Sequence, residues 1–243
     1  MNSIEVCLSP ALFPFKTTNE NFIVVIVDVL RATSAFCAAF DSGVKLLIPV
    51  SGLEELLEYK NKGFLTAAER DGNKVDFADF GNSPTVFLHS DLKGKELAYS
   101  TTNGTQAIKT ASNAGLEEIV AAAFVNLHAV SEWLISQNKN VVILCSGWKN
   151  TFSLEDTLCT GAFVEMLQLS GVFENVCDAS CSALKLWQSA KNDLFVVVKQ
   201  ANHYKRLLAK GLHEDLDHCF RLNISNAVPV WNGKGFSNLN PVF

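Results

Sequence analysis

The sequence predicts a three-layer α/β/α protein built on a largely parallel or mixed sheet. Three observations carry that prediction. Short apolar runs alternate with helical stretches along most of the chain, the rhythm of crossover units that bury a sheet between helices. Runs such as "FIVVIVD" and "VVILC" are apolar almost throughout, as strands covered on both faces are. Apolar residues make up 48% of the 243, enough for a large core and too many for a disordered chain.

In chain order, strands are expected at 22–28, 45–49, 64–68, 96–99, 118–123, 141–145, 173–177 and 195–198. Helices are expected at 33–42, 53–61, 104–114, 126–137, 153–169 and 199–209. No linker rich in Pro, Gly or Ser interrupts them, so residues 1–243 read as a single domain. "IVVIVDVLRATSAFCAAF" and "VVILCSGWKNTFSLEDTLCTGAF" share a plan of apolar strand, polar turn, hydroxyl residue and small-residue helix. "ELAYSTTNGTQAI" repeats it more briefly, which is compatible with two related halves near 1–115 and 116–243.

Bulk charge narrows the function. Twenty basic against 25 acidic residues give a net charge of −5, and the basic residues are scattered. Nucleic acid and anionic membrane both call for a basic patch, so neither is an expected partner. No apolar run reaches the length of a membrane span, and the first residues carry Glu5 without a basic stretch, unlike a signal peptide. Seven cysteines, an odd number with no C-x-x-C pair, read as reduced thiols in a cytoplasmic protein. Cys145 is the best placed of them for a nucleophile, a weaker reading. Phe supplies 17 of the aromatic residues, which suits a core better than a base-stacking platform. A chain this apolar is expected to pair as a homodimer.

Ligands of open α/β sheets bind at the carboxyl ends of strands, and four segments put unusual polarity there. In "DVLRATS", Asp28 stands at a strand tip, Thr33 or Ser34 can cap the next helix, and Arg31 is not required by capping. In "TAAERDGNKVDFADFGNSP", residues 66–84, Glu69 and Arg70 precede Asp79 and the turn residues Asn82 and Ser83; long polar loops of this kind tend to be functional. In "STTNGTQAI", Thr101, Thr102, Asn103 and Gly104 lead into a helix from about Thr105, a start suited to an anion. In "CSGWKNTFSLEDTLCTGA", Ser153 and Asp156 make a capping-box variant, and Glu155 and Asp156 favour the helix start through its dipole. As carboxylates they also offer the hard oxygen ligands that magnesium prefers. Bland readings compete throughout: caps, a solvated Glu–Arg pair, an Asn-Gly turn. "HEDLDH" at 213–218 has one residue too many for a zinc-protease His-Glu-x-x-His, and Glu214 with His218 reads as an exposed pair.

Taken in order, D-V-L-R-A-T-S, E-R with D-F-G-N-S-P, T-T-N-G-T and S-L-E-D-T-L-C-x-G-A resemble the 2-phosphosulfolactate phosphatase family. The tail "GLHEDLDHCFRLNISNAVPVW" resembles that family's acidic helix and Val-Pro segment, so the likeness runs from about 22 to 230. It implies a magnesium-dependent α/β phosphatase hydrolysing 2-phospho-3-sulfolactate to 3-sulfolactate and phosphate, a step of coenzyme M biosynthesis in methanogens. Two departures are Phe77-Ala78 where the family commonly has Gly-Phe before Asp79, and Asp71 displacing a glycine to Gly72. Neither removes a charge.

On this likeness Asp28 and Asp79 are expected to hold magnesium, with Glu155 or Asp156 completing the shell. Arg31 and Arg70 would grip the phosphoryl group or the substrate's other anions. Thr33, Ser34, Asn82 and Ser83 are further binding candidates, as are Thr101–Thr105, and Glu69 is the expected general base. Leu30 stands where aspartyl-phosphate enzymes carry a second Asp, which favours attack by water over attack by Asp28. The rival expectations are a phosphatase for another small carboxylated phosphoester and a non-catalytic anion-binding protein.

Overall fold

The computed structural model describes residues 1–15, 21–70, 72–101, 104–113 and 116–240. Its strands are β1 (Asn2–Cys7), β2 (Phe22–Val27), β3 (Leu46–Pro49), β4 (Leu65–Arg70), β5 (Asn73–Lys74), β6 (Glu96–Ser100), β7 (Ile119–Ala122), β8 (Asn140–Cys145), β9 (Phe173–Asn175), β10 (Pro229–Trp231) and β11 (Phe236–Asn238). Its helices are α1 (Ala32–Asp41), α2 (Leu53–Asn61), α3 (Pro84–Leu88), α4 (Gly104–Asn113), α5 (Leu127–Gln137), α6 (Leu154–Leu169), α7 (Asp178–Ala190), α8 (Leu194–Val198), α9 (Asn202–Ala209) and α10 (His213–Cys219).

The strands form one sheet in the order β5-β4-β6-β3-β11-β10-β7-β2-β8-β1-β9. Parallel pairing builds two blocks, β4-β6-β3 and β7-β2-β8-β1-β9. The antiparallel hairpin β10–β11 splices them, pairing β7 on one side and β3 on the other. That hairpin, with β5 at the edge, makes the sheet mixed. The α/β architecture is the one expected from the apolar runs. The blocks do not follow the chain's order: β2 lies between β7 and β8.

Burial explains the central elements. Ile23 to Val27 of β2 are all inaccessible to solvent, and α1 buries every residue from Ala32 to Phe40. A helix apolar on all sides belongs inside. Its Phe36 meets Tyr99 of β6 edge-on at 4.9 Å and Phe236 of β11 at 5.5 Å, so α1 joins the two blocks. The carboxyl ends of β2, β4 and β6 thereby face a common space. On the opposite layer, a Cβ on Gly161 of α6 would lie 2.1 Å from the Ala183 carbonyl oxygen of α7. Only glycine permits that approach.

Two expectations change. Residues 195–198 form α8, not a strand: the Asp193 carboxylate accepts the Val196 amide at 3.2 Å, and Leu194 and Val198 are buried while Val196 is exposed. Burial at i and i+4 is helical periodicity. The polar stretch after residue 66 is mostly ordered structure, β4, β5 and α3, rather than one loop. The strands β1, β10 and β11 and helices α3 and α7 were not among the expected elements. Five cysteines are buried, Cys177 is half-buried and Cys181 exposed. Among the described residues no helix is long and apolar enough to cross a membrane.

Candidate active site

The turn after β2 is locked by its own hydroxyls. Thr33 donates its amide and its Oγ1 to the Asp28 carbonyl at 3.0 and 2.8 Å, and the Asp28 amide donates to Thr33 Oγ1 at 3.0 Å. Ser34 Oγ donates to the Val29 carbonyl at 2.8 Å. Both hydroxyls are buried and lie inside α1 instead of capping it, so they hold the turn rather than face a ligand. What the turn presents is the Asp28 carboxylate, whose Oδ1 takes the Ala32 amide at 3.2 Å; Oδ2 bonds none of the described residues.

Asp156 braces this turn from α6. Its Oδ1 accepts the Val29 amide at 2.9 Å and its Oδ2 the Gly147 amide at 3.0 Å, tying the tips of β2 and β8 together. Gly147 has φ +64°, which an L side chain rarely adopts. Only half of the expected capping box forms: Ser153 Oγ accepts the Asp156 amide at 3.3 Å, while the Asp156 side chain goes to β2. The next carboxylate, Glu155, accepts from His203 Nδ1 of α9 at 3.0 Å. Asp156 thus spends both oxygens, and Glu155 its Oε1, on protein partners.

Asp28, Glu69, Arg31, Asn82 and Thr101 line one cavity, drawn from the ends of β2, β4 and β6 and from the turn before α3. Gly72 closes it, donating its amide to Glu69 Oε1. Asn82 accepts from the Tyr99 hydroxyl. Helix α9 and its C-terminal flank also line the cavity, with His203, Arg206 and Lys210, beside Trp148 from the loop after β8. Arg31 is not a lone cation: its Nη1 meets Asp215 Oδ2 at 2.5 Å, both buried. Asp215 Oδ1 also accepts Ser83 Oγ at 2.6 Å and Thr85 Oγ1 at 2.9 Å. Ser83 therefore anchors Asp215 and caps α3 through the Val86 amide at 3.4 Å.

Electrostatics follows from burial. Desolvation raises Asp28 from 3.8 to about 6, opposed by His203 and the Ala32 amide and reinforced by Glu155 and Glu69. Burial pushes Asp156 well up, helped by the charges of Glu155 and Asp28. Burial also pushes Glu155 up, but the His203 hydrogen bond and charge outweigh it and hold this carboxyl low. The Cys145 thiol is driven far up by burial, which disqualifies it as a nucleophile.

Other candidates lie apart. Asp79 is outside the cavity lining: it pairs with Lys60 at 2.7 Å and accepts the Thr66 amide and hydroxyl at 2.8 Å. Those bonds hold its carboxyl below the usual range against the pull of desolvation. Arg70 donates to the Glu69 carbonyl at 2.7 Å and to Ser100, to its carbonyl at 3.3 Å and its Oγ at 2.9 Å. It lines a neighbouring cavity with Ser51, Thr105, Gln106 and Lys109, and Thr101 belongs to both. Thr105 Oγ1 donates to the Thr101 carbonyl at 2.6 Å, while the buried Thr101 Oγ1 has no partner among the described residues. Helix α4 begins at Gly104; Thr102 and Asn103 lie outside the described residues.

Sequence reasoning missed His203, Arg206, Trp148 and Asp215. The spacing of His203, Arg206 and Lys210, three and seven residues from the first, is one helix face, and that was the available signal. Asp215 lies inside "HEDLDH", whose spacing marks Glu214 and His218 as an exposed pair and gives no signal for Asp215. Glu214 is exposed, and His218 is partly buried and shifted down by desolvation.

Carboxylates and cations facing each other across a cleft at the strand tips of an α/β sheet suit a phosphoric monoester hydrolase. The family model for "2-phosphosulpholactate phosphatase" matches residues 7–234. Proteins named "Probable 2-phosphosulfolactate phosphatase" are similar over most of their length. That of Thermotoga maritima is 37% identical, covering 85% of this chain and 87% of its own. That of Caldanaerobacter subterraneus is 36% identical, at 85% and 86%, and that of Cyanothece sp. is 35% identical, at 96% and 97%. The chain belongs to the 2-phosphosulfolactate phosphatase family, a family of phosphoric monoester hydrolases.

Proposed function

We propose that the protein hydrolyses 2-phospho-3-sulfolactate to 3-sulfolactate and phosphate with magnesium as cofactor. The observation that carries this reading is the single cavity with Asp28 and Glu69 on one wall and His203 and Arg206 on the other, in a chain of this family.

The donor set fits magnesium in a limited way. Among the described residues no three His, Cys, Asp or Glu side chains gather closely enough to hold an ion by themselves. Magnesium keeps several waters and takes one or two carboxylates plus phosphate oxygens, and Asp28, with one oxygen unbonded among the described residues, supplies one. Asp79, Glu155 and Asp156 are poorer ligands because Lys60, His203 and two backbone amides already occupy them. When bound, the ion neutralises phosphoryl charge and polarises the bond to be broken.

The chain's own groups do the rest. Asp28, ionised above pH 6, has its free oxygen in the cavity. Arg31 and Asn82 orient the phosphoryl oxygens, and Asp215 fixes the Arg31 guanidinium in its plane. Glu69 accepts the proton of the attacking water. His203, with Nδ1 engaged by Glu155, has Nε2 unbonded among the described residues and delivers a proton to the departing alkoxide. Phosphate release from 2-phosphosulfolactate by wild-type protein, assayed with magnesium and again with EDTA, tests the reading. No release in either condition would instead favour a non-catalytic anion-binding protein.

A further inference from the structure

Two arginines reach the cavity, and they are not equivalent. Arg31 has its charge met by the buried Asp215. Arg206 stands 4.2 Å from the centre of the Trp148 ring, and among the described residues its guanidinium makes no hydrogen bond or ion pair. A ring face attracts a cation but occupies none of its five N–H donors. Stacking therefore fixes the guanidinium and strips water from one face while its edge remains free to bond. A guanidinium so prepared captures an oxyanion with two parallel hydrogen bonds.

Its place adds a direction. Arg206 is three residues from His203 on α9, on the same face. Both border the Asp28 cavity and a second one reaching Ser153, Gln200 and Asn202. Arg206 stands at the seam of the two, in the same cavity as Asp28 and Glu69.

We infer that Arg206, held over the Trp148 ring, is the binding site for the substrate's non-reacting anion, a sulfonate or carboxylate borne on the carbon skeleton. The inference rests on the phosphatase reading and adds its specificity determinant. It explains why the cavity keeps an arginine that no carboxylate among the described residues neutralises.

The test is calorimetric titration of 3-sulfolactate into wild type, R206Q and R206K. It is paired with kcat/KM for 2-phosphosulfolactate, 2-phospholactate, 2-phosphoethanesulfonate and isopropyl phosphate. R206Q is expected to weaken sulfolactate binding, and to lower kcat/KM for anion-bearing esters, by about 10- to 100-fold. That loss falls chiefly on KM and is at least about tenfold smaller for isopropyl phosphate, which has no second anion. R206K recovers only part, because an ammonium lacks the fork. Should R206Q unfold early, R206K, which keeps stem and charge, supports the same comparison. A larger loss on 2-phosphoethanesulfonate than on 2-phospholactate assigns the sulfonate to Arg206, and the reverse assigns the carboxylate. Equal losses on all four esters, sulfolactate affinity unmoved by R206Q, or no sulfolactate binding by wild type would each overturn the inference. Arg206-dependent binding without phosphate release would leave it standing and refute the phosphatase reading.

Discussion

The two walls of the cavity are built on different principles. Around Asp28 every neighbouring group is fixed: Thr33 and Ser34 bond back to the turn, and Asp156 holds it through Val29 and Gly147. Across from it, Arg206 rests on one indole face, and His203 is tied by one bond to Glu155. Chemistry needs placement to fractions of an ångström, whereas recognition of a substrate's far end tolerates adjustment. On the proposed reading, attack belongs to the β2 side and selection of the substrate's far end to Arg206, while His203 serves the leaving group.

The comparison breaks hardest at Asp28. Asp28→Asn is expected to cut turnover roughly 10²–10⁴-fold while the circular dichroism spectrum stays native. The same change has the opposite effect on stability in metal-free protein. The Asp28 carboxyl ionises near 3.8 when unfolded and about 6 when folded, so its contribution is most favourable below pH 3.8 and is lost as pH rises through 6. Asp28→Asn should therefore be more stable than wild type by about 1–3 kcal/mol at pH 8 in EDTA, with a smaller gap at pH 4. Urea unfolding at the two pH values measures it.

Next comes the buried support of Arg31. Asp215→Ala leaves a buried guanidinium unpaired and strands the Ser83 and Thr85 hydroxyls, an expected loss of about 3–5 kcal/mol by denaturant titration. A smaller effect is expected at Asp79, which the sequence placed beside Asp28. Asp79→Ala should cost only about 0.5–1.5 kcal/mol and leave turnover near wild type, because its partners Lys60 and Thr66 lie outside the cavity lining. A collapse of activity in Asp79→Ala would return it to the site.

What the sequence revealed follows the same division. The strand tips were legible because a buried parallel strand such as "FIVVIVD" has no structural use for a terminal acid, and Asp28, Arg31 and Glu69 do share a cavity. Helix α9 was legible as a helix, but its role was not, since the approach of residue 203 to residue 155 is a tertiary fact. Asp79 misled because its turn is rich in polar groups, yet β4 aims that carboxylate at Thr66 and Lys60. At 195–198 β-branched composition argued for a strand, and the Asp193 cap with burial at i and i+4 decided for α8.

The most direct measurement is phosphate release from 2-phosphosulfolactate across pH 5 to 8, with magnesium or EDTA, by wild type and Asp28→Asn. The expected result is wild-type activity that needs magnesium, vanishes with EDTA and falls at acid pH, where a proton on Asp28 competes with the ion. Equal phosphate release by Asp28→Asn, or wild-type activity indifferent to EDTA, would contradict the assignment of the reaction to Asp28 and a magnesium ion.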